Sequence, residues 1–200
     1  MISWFGEHAL EELPQPARLR CAAYDSIHAT ELTLIQRQRG ATGSIVKTIM
    51  DEPALDFEGI LLSPQKEMVR MFYKELWDHA DKSLIPRIFH PGFTFRGSLG
   101  PVLVGHDQFA GYVDWVTGAL SQYTTDILVM IEEGNRVSGK MRFHGLHRKE
   151  LFGVPPSGRH VWWTGMPIFT FEGAKVRDLF VLGDIHGLIG RLNEGTAAPS

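Results

Sequence analysis

The sequence predicts an α+β domain in which helices come first and long antiparallel strands follow. Three observations lead to this prediction. Ser63-Pro64 opens a stretch whose apolar residues recur at helical spacing, and residues 105–121 form a second such stretch. From residue 123 to residue 183, apolar and polar residues alternate in long segments that turn-forming residues separate. Such a sheet must bury one face against the helices, and its curvature can leave a cavity between them.

The predicted helices are placed by their start signals and their apolar faces. Ser63 is a favoured N-cap and Pro64 suits the first helical position, so a helix begins there. Its apolar face consists of Met68, Met71, Phe72 and Leu76. A short helix over residues 84–89 and a short strand over 93–96 follow, and the third helix spans 105–121. A terminal helix over 184–192 completes the set.

Four longer strands follow the third helix. Glu133-Gly134-Asn135 and Glu172-Gly173 are turn signals, and residues 152–159 form a loop with two prolines and two glycines. The strands between these breaks span residues 123–132, 136–150, 160–171 and 174–183.

Composition limits the classes of protein to which the chain can belong. Its 200 residues, 44% hydrophobic and 22% charged, are enough to fill one core. A net charge of −3 argues against a nucleic-acid partner, which prefers a basic face. The single cysteine, Cys21, excludes an internal disulfide framework. No segment has the length of a membrane span and no signal peptide is visible, so we expect a cytoplasmic protein with no membrane partner.

The chain divides into three predicted parts. Residues 1–62 form an N-terminal extension that we expect to be loosely ordered or partly helical. Residues 63–192 form the folded domain. Residues 193–200 are small and polar, which is typical of a flexible tail.

Strand alternation predicts which side chains face the interior. In the last strand, one face carries Asp178, Phe180 and Asp184, and the other carries the charges of Lys175 and Arg177. We therefore predict that the first face points inward. In the strand over 136–150, the apolar face carries Phe143 and His147, whereas Arg142 and His144 point outward. Asp178, Asp184 and His147 would then converge on one apolar cavity.

Asp184 is the leading candidate for a catalytic residue. It lies between two apolar segments, and burial there would raise its pKa toward the range that a general acid/base needs. The alternative is that Asp184 is the N-cap of the last helix, which does not exclude catalysis. His147 has a second interpretation as a hydrogen-bonded core residue, and Asp178 as a surface ion-pairing residue.

Aromatic side chains complete the candidate substrate-binding set, although residues of this kind more often pack in a core. The set consists of Phe180, Trp162, Phe143, Trp115 and Phe95, together with Asp178. Only one of the neighbours Trp162 and Trp163 can point inward. His144 and His147 fall on opposite strand faces, so we predict no metal site.

Several short motifs together resemble a known family. They are Gly145-Leu146-His147, the loop FGVPPSGR over residues 152–159, Gly165, and DIHGLIGRL over residues 184–192. This combination is similar to the SnoaL-like polyketide cyclase (ester cyclase) family, which has the nuclear-transport-factor-2-like fold. The resemblance covers residues 64–192. Phe180 and Asp178 depart from the pattern, since tryptophan and glutamate are usual at those positions.

The resemblance implies a cone-shaped, strongly curved antiparallel sheet around the helices, with a deep pocket for a small molecule. It implies that Asp184 is the general acid/base of an intramolecular aldol reaction on a polyketide-like carbonyl compound. It also implies that His147 orients a substrate oxygen and that no cofactor is needed. A homodimer would form through the outer sheet face, with Val161 and Trp163 or Leu179 and Val181 in the contact.

Two other functions remain open at this point. One is an epoxide-hydrolase-like reaction in the same cone, which needs a second carboxylate and an arginine in the pocket. The other is a non-catalytic module for ligand binding or dimerisation, which needs no cavity beside Asp184.

Overall fold

The computed structural model describes residues 52–194. The predictions made for residues 1–51 and 195–200 lie outside this range. A compact unit begins at Pro53, ahead of the predicted boundary at residue 63. The segment before the first helix is tied to the sheet, because the backbone N–H of Leu55 donates to the carbonyl of Ile127 at 2.7 Å.

The helices begin where the sequence signals place them. Ser63 caps α1, and its hydroxyl oxygen accepts from the N–H of Lys66 at 3.1 Å. A π-helical turn over Phe72–Trp77 continues α1 and buries four large side chains. A 3-10 turn at Lys82–Leu84 leads into α2. The α-helices are α1 (Pro64–Met71), α2 (Ile85–Ile88), α3 (Gly105–Ala119) and α4 (Ile185–Asn193).

One six-stranded sheet packs on these helices, in the order β2-β1-β6-β5-β4-β3. The strands are β1 (Phe89–Arg96), β2 (Val102–Val104), β3 (Leu120–Glu133), β4 (Arg136–His147), β5 (His160–Glu172) and β6 (Lys175–Gly183). The α+β class is confirmed. The sheet is mixed rather than purely antiparallel, because β1 pairs with β6 in parallel. The three-residue strand β2 was not predicted from the sequence.

The core between helices and sheet is dominated by aromatic rings. Phe72 of the π-helical turn contacts Phe89 of β1 at 5.6 Å, Phe109 of α3 at 6.1 Å and Phe169 of β5 at 5.3 Å between ring centroids. All four rings are buried. Burial of this much apolar surface is the main force holding the helices in the sheet.

A β-bulge in β6 reverses the predicted orientation of its second half. Phe171 of β5 pairs with Val176 and Thr170 pairs with Asp178, so Arg177 is an extra residue. Val176 is buried, and beyond the bulge Leu179 and Val181 point inward while their neighbours point outward. The prediction that Asp178, Phe180 and Asp184 face inward is therefore wrong, because all three are exposed.

The residues predicted to form the dimer contact do not lie on the outer face of the sheet. Val161, Trp163, Leu179 and Val181 are all buried in the core, so none of them can form an outer contact. The outward face of β5 and β6 instead carries Met166, Ile168, Phe180 and Leu182.

We predict that the two faces of β6 differ sharply in their contribution to stability. Leu179→Ala removes a side chain that is fully buried and should lower the free energy of unfolding by about 3 kcal/mol. Leu182→Ala, at a side chain 63% exposed, should change it by less than about 0.5 kcal/mol. Urea unfolding at a concentration where the chain is monomeric measures both values. A larger loss of stability for Leu182→Ala than for Leu179→Ala would contradict the orientation that the bulge gives to β6.

Candidate active site

An inner cavity lies between the π-helical turn, α3 and the sheet. It encloses about 30 Å³ of space, enough for one or two water molecules. Phe95 and Phe143, two of the predicted substrate-binding residues, line it. None of the described residues around it carries a carboxylate or an imidazole. The wall is formed by Phe72, Tyr73, Trp77, Phe95, Gly97, Ser98, Leu99, Tyr112, Val116, Tyr123, Phe143, Trp163 and Val181.

Two hydrogen-bond donors in this wall are buried without a partner. Tyr73 and Trp163 are 2% and 1% exposed, and the Tyr73 hydroxyl and the Trp163 indole Nε1 have no hydrogen-bond partner among the described residues. Burial raises the pKa of Tyr73 well above its ordinary value, so its hydroxyl keeps its proton. A buried polar group left unsatisfied costs about 1–3 kcal/mol, so these two atoms need an explanation.

An outer groove of about 350 Å³ adjoins the inner cavity. Leu99 and Tyr112 belong to the walls of both spaces. Trp115, a third predicted substrate-binding residue, lines the groove and is 43% exposed. Burial raises the pKa of Tyr112, and the backbone of Leu99 opposes the shift. Gly97 and Gly100, in the segment between β1 and β2, pack closely against the Tyr112 side chain of α3.

Asp184 is the N-cap of α4, as the alternative interpretation of the sequence expected. Its carboxylate accepts from the N–H of Gly187 at 2.9 Å and lies 3.7 Å from Nη1 of Arg191. The side chain is 45% exposed, so the predicted burial is wrong. Its neighbour Gly183 packs against the cavity wall, because a Cβ there would lie 2.5 Å from Cβ of Ser98 and 3.4 Å from Cδ1 of Trp163. Asp184 is thus one residue away from that wall.

His147 is buried on the inward face of β4, as predicted, but it lines neither space. The Ser157 N–H donates to its Nδ1 at 3.3 Å, which places the proton of the neutral ring on Nε2. Burial lowers the pKa of His147 and the positive charge of Arg159 lowers it further, while the Lys149 carbonyl opposes the shift. The predicted convergence of His147, Asp178 and Asp184 on one cavity is wrong.

The proline- and glycine-rich loop anchors α4. Gly158 has a φ of +67° and donates its N–H to the His147 carbonyl at 2.9 Å. Arg159 then donates from Nη2 to the carbonyls of Arg191 at 3.1 Å and Leu192 at 3.0 Å. These carbonyls end α4, where a cation satisfies free acceptors and the helix dipole. Arg159, at the end of the loop, therefore holds the C-terminal end of α4, and Asp184 caps its N-terminal end.

Three predicted substrate-binding residues lie on the outer face of the sheet. Asp178 accepts from the Thr94 hydroxyl. The Arg96 guanidinium lies 5.1 Å from the Phe180 ring centroid, and the Arg191 guanidinium lies 3.5 Å from the Trp162 ring.

Trp163 rather than Trp162 enters the cavity. Trp163 shares its face of β5 with Val161, Phe169 and Phe171, which are all buried. Trp162 shares its face with His160 and Thr164 and, farther along the strand, with the exposed Met166 and Ile168. The two polar neighbours of Trp162 distinguish the faces only at this end of β5.

A charged cluster joins β3 and β4 away from the inner cavity. Arg142 donates from Nε to Asp126 at 2.8 Å, and His144 Nε2 lies 3.3 Å from the same carboxylate. The hydrogen bond with His144, followed by that with Arg142, lowers the pKa of Asp126 to about 2. Arg142 is engaged here, so the structure gives no support to the hydrolase alternative, which needs an arginine in the pocket.

Two negative results hold for residues 52–194. No group of three or more histidine, cysteine, aspartate or glutamate residues is arranged to hold a metal ion. No helix in this range has the length and apolar character needed to cross a membrane.

Comparison with known proteins gives a family match and many structural matches. The family model described as SnoaL-like polyketide cyclase matches residues 67–189, which is more than half of the chain. No curated protein matches the sequence.

Three solved structures illustrate the fold. A proposed polyketide cyclase from Acidithiobacillus ferrooxidans is 19% identical, with a TM-score of 0.61 over 68% of this chain and 99% of that chain. A proposed SnoaL-like polyketide cyclase from Jannaschia sp. CCS1 is 20% identical, with a TM-score of 0.60 over 70% and 100%. A protein from Catenulispora acidiphila with a ketosteroid isomerase-like fold, in complex with trimethylamine, is 12% identical, with a TM-score of 0.54 over 64% and 92%. At these identities the likeness establishes the fold alone.

We predict that the Asp126 cluster stabilises the protein in a pH-dependent way. Because the folded pKa is about 2 and the ordinary value is 3.8, the unfolded chain binds the proton more readily. The contribution, roughly 1–2 kcal/mol, is complete above about pH 4 and is lost as the pH falls toward 2. Urea unfolding of wild type and Asp126→Asn should differ at pH 7 and converge near pH 2. Asp114→Asn, at an exposed ion pair with Lys82, is the control and should show little pH-dependent difference.

Proposed function

We propose, because the chain belongs to the SnoaL-like polyketide cyclase family, that it is a cofactor-free cyclase or isomerase. Its substrate would be a small polyketide-like carbonyl compound. The family membership supports the cyclase or isomerase kind of activity. The mechanism and the substrate are our proposal.

One observation carries this proposal. The inner cavity is lined mostly by apolar and aromatic side chains, and two of its wall residues, Ser98 and Trp163, pack against Gly183, the residue before Asp184. An apolar pocket with a few converging polar groups is the usual form of a small-molecule site. Asp184 does not line this cavity. It borders a separate groove of about 370 Å³ on the outer side of the sheet, together with Gly183 and Thr164. The family resemblance makes Asp184 our candidate for moving a proton.

The proposed reaction begins with proton transfer from carbon. Asp184 takes the proton of a C–H bond that carbonyl groups make acidic, and the electron pair becomes an enolate. The enolate carbon then bonds to a second carbonyl carbon in the same molecule, whose π electrons move to its oxygen. The protonated Asp184 returns the proton to that oxygen. Atoms and charge balance without a metal or redox partner.

His147 has an indirect role in this proposal. It holds Ser157, the loop continues to Arg159, and Arg159 holds the C-terminal end of the helix that Asp184 begins. His147 is therefore a positioning residue for α4. It is not placed in contact with the substrate.

We predict that two substitutions separate the proton-transfer role of Asp184 from its capping role. Asparagine caps a helix about as well as aspartate but cannot take up the proton. Asp184→Asn should therefore keep the stability and lower catalysed proton transfer by roughly 10²–10⁴-fold. Asp184→Ala should in addition lower the free energy of unfolding by about 1 kcal/mol. Deuterium exchange at the acidic C–H of 2-tetralone, followed by NMR, measures the transfer step without the natural substrate.

Asp114→Asn is the control for this experiment, since that carboxylate is on the surface of α3 and pairs with Lys82. It should exchange at the wild-type rate. If Asp184→Asn also exchanges at that rate, the acid/base assignment is wrong. If the wild type does not accelerate exchange at all, the alternative of a non-catalytic binding module is favoured.

We also propose a homodimer that forms through the outward face of β5 and β6. Met166 pairs with Leu182 and Ile168 pairs with Phe180 in the sheet, so these four side chains form one contiguous patch. They are 58%, 63%, 42% and 38% exposed, respectively. Exposed apolar patches of this kind on a sheet commonly mark interaction surfaces.

We expect a charge in this patch to dissociate the dimer. Leu182→Glu should give a monomer in sedimentation or light-scattering measurements, because it buries a carboxylate in an apolar contact. Ile60→Glu is the matched control, with 56% exposure in the segment before α1 rather than on the sheet, and should leave the oligomer intact. A monomeric wild type at tens of micromolar would contradict the proposal.

A further inference from the structure

The groove that Asp184 borders on the outer side of the sheet is, we infer, a substrate site that two protomers share. Asp184 transfers the proton there, Lys140 stabilises the enolate oxygen, and the second protomer closes the space. This inference rests on the proposed function, because it assigns a place to the reaction of Asp184. The Asp184 groove measures about 370 Å³ and is lined by Lys140, Thr164, Gly165, Met166, Leu182, Gly183 and Asp184.

The Asp184 groove has the size of a ligand site, whereas the inner cavity does not. Ligand pockets typically measure roughly 300–1,000 Å³. The inner cavity, with about 30 Å³, has room for one or two water molecules, and no carboxylate lines it among the described residues. The Asp184 groove offers both the space and the carboxylate.

The pairing of β5 with the end of β6 gives this groove a polar end and an apolar end. At the polar end, the N–H of Asp184 donates to the carbonyl of Thr164 at 2.9 Å. At the apolar end, Met166 pairs with Leu182. The two residues between these pairs are glycines opposite each other, so the floor of the groove is bare backbone. A small molecule with one polar group and an apolar body matches this shape.

Lys140 brings a positive charge to the same groove from β4. Met141 is buried and pairs with Gly165, so strand alternation places Lys140 on the outer face beside β5. Asp184 borders the groove from the end of β6, on the other side of β5. A ligand that lies over β5 is therefore flanked by a carboxylate and an ammonium group.

These two charges match the proposed proton transfer. When Asp184 takes the proton of an acidic C–H bond, its carboxylate becomes neutral and the electron pair of that bond forms the enolate. The negative charge then resides on the enolate oxygen. Lys140 donates a hydrogen bond to this oxygen and offsets its charge, which stabilises the transition state more than the neutral ketone.

The carboxylate of Asp184 is held in place by α4. One oxygen accepts from the N–H of Gly187 at 2.9 Å, and the other lies 3.7 Å from Nη1 of Arg191. The Arg191 guanidinium is itself stacked on the Trp162 ring at 3.5 Å. A base whose orientation is fixed before the substrate binds has less to reorganise during the reaction.

The second protomer closes the apolar end of the groove. Met166 and Leu182 line the groove and also belong to the apolar patch through which we propose that the dimer forms. They are 58% and 63% exposed, so the groove is open to solvent in a single chain. A dimer that buries the patch covers these two side chains. The exclusion of water strengthens the interactions of Asp184 and Lys140 with the substrate.

The role of Lys140 can be tested by deuterium exchange of 2-tetralone. Lys140→Met removes the charge but keeps most of the apolar stem, and should slow exchange roughly 10²-fold. Lys140→Arg keeps the charge and should lose much less. Lys66→Met, on α1 and outside the groove, is the control and should exchange at the wild-type rate. A wild-type rate in Lys140→Met would overturn the role of Lys140.

The place of binding can be tested with a side chain that fills the groove. Thr164→Phe does so from a position outside the dimer patch, and should weaken 2-tetralone binding at least tenfold in calorimetry. Thr170→Phe, on the same strand and face but outside the groove, is the matched control and should bind as the wild type does. Unchanged binding in Thr164→Phe, or no binding of 2-tetralone by the wild type, would overturn the site.

The closure by a second protomer requires that exchange depends on dimer formation. Ile168→Glu changes the patch without touching the groove wall, and should give a monomer whose exchange rate is at least about tenfold lower. On dilution of the wild type, the rate per protomer should follow the dimer fraction measured by sedimentation. A rate that stays constant as the dimer dissociates would overturn the closure, and so would a monomeric wild type.

The outcomes separate this inference from the proposed function. Loss of exchange in Asp184→Asn, with a wild-type rate in Lys140→Met and wild-type binding in Thr164→Phe, would support the acid/base role and overturn the groove. A wild-type rate in Asp184→Asn, with weakened binding in Thr164→Phe, would overturn the acid/base role and retain the groove as a ligand site.

Discussion

The packing of Phe72 between helix and sheet is the constraint on which the rest of the structure depends. Its ring contacts rings from β1, α3 and β5, so one side chain fixes the position of three elements at once. Because Phe72 begins the π-helical turn, the same packing sets the direction in which Tyr73 and Trp77 point. Two of the rings that line the inner cavity are therefore positioned by an apolar contact in the core, which is rigid because protein interiors are densely packed.

The residues of the sequence motif and the residues of the cavity wall have different structural roles. Asp184 begins α4 and Arg159 satisfies the carbonyls at its end, with His147 holding the loop between. The walls of the inner cavity come largely from residues outside that motif, such as Tyr73, Tyr112 and Trp163. A sequence pattern can thus identify a fold family through residues that secure one helix.

Much of the fold was predictable because local periodicity and capping determine it. The cap at Ser63, α3 and the four long strands follow directly from the spacing of apolar residues. The orientation of β6 was not predictable, since the extra residue Arg177 is defined by its pairing with β5 rather than by any local signal. The three residues of β2 are too few to show a period.

Some residues of the candidate site could likewise be predicted from local sequence patterns and others could not. Phe95 and Phe143 were placed correctly by alternation alone. Whether the Tyr73 hydroxyl has a hydrogen-bond partner depends on every element packed around it, so no local sequence pattern predicts it.

The β-bulge at Arg177 has a consequence for changes in the length of β6. Deleting one residue there would restore strict alternation along the strand, so one half of β6 would exchange its inward and outward faces. Leu179 and Val181 are buried whereas Phe180 and Leu182 are exposed, so such a deletion would place the wrong side chains in the core. This strand should therefore accept many substitutions on its outer face but no change in its number of residues.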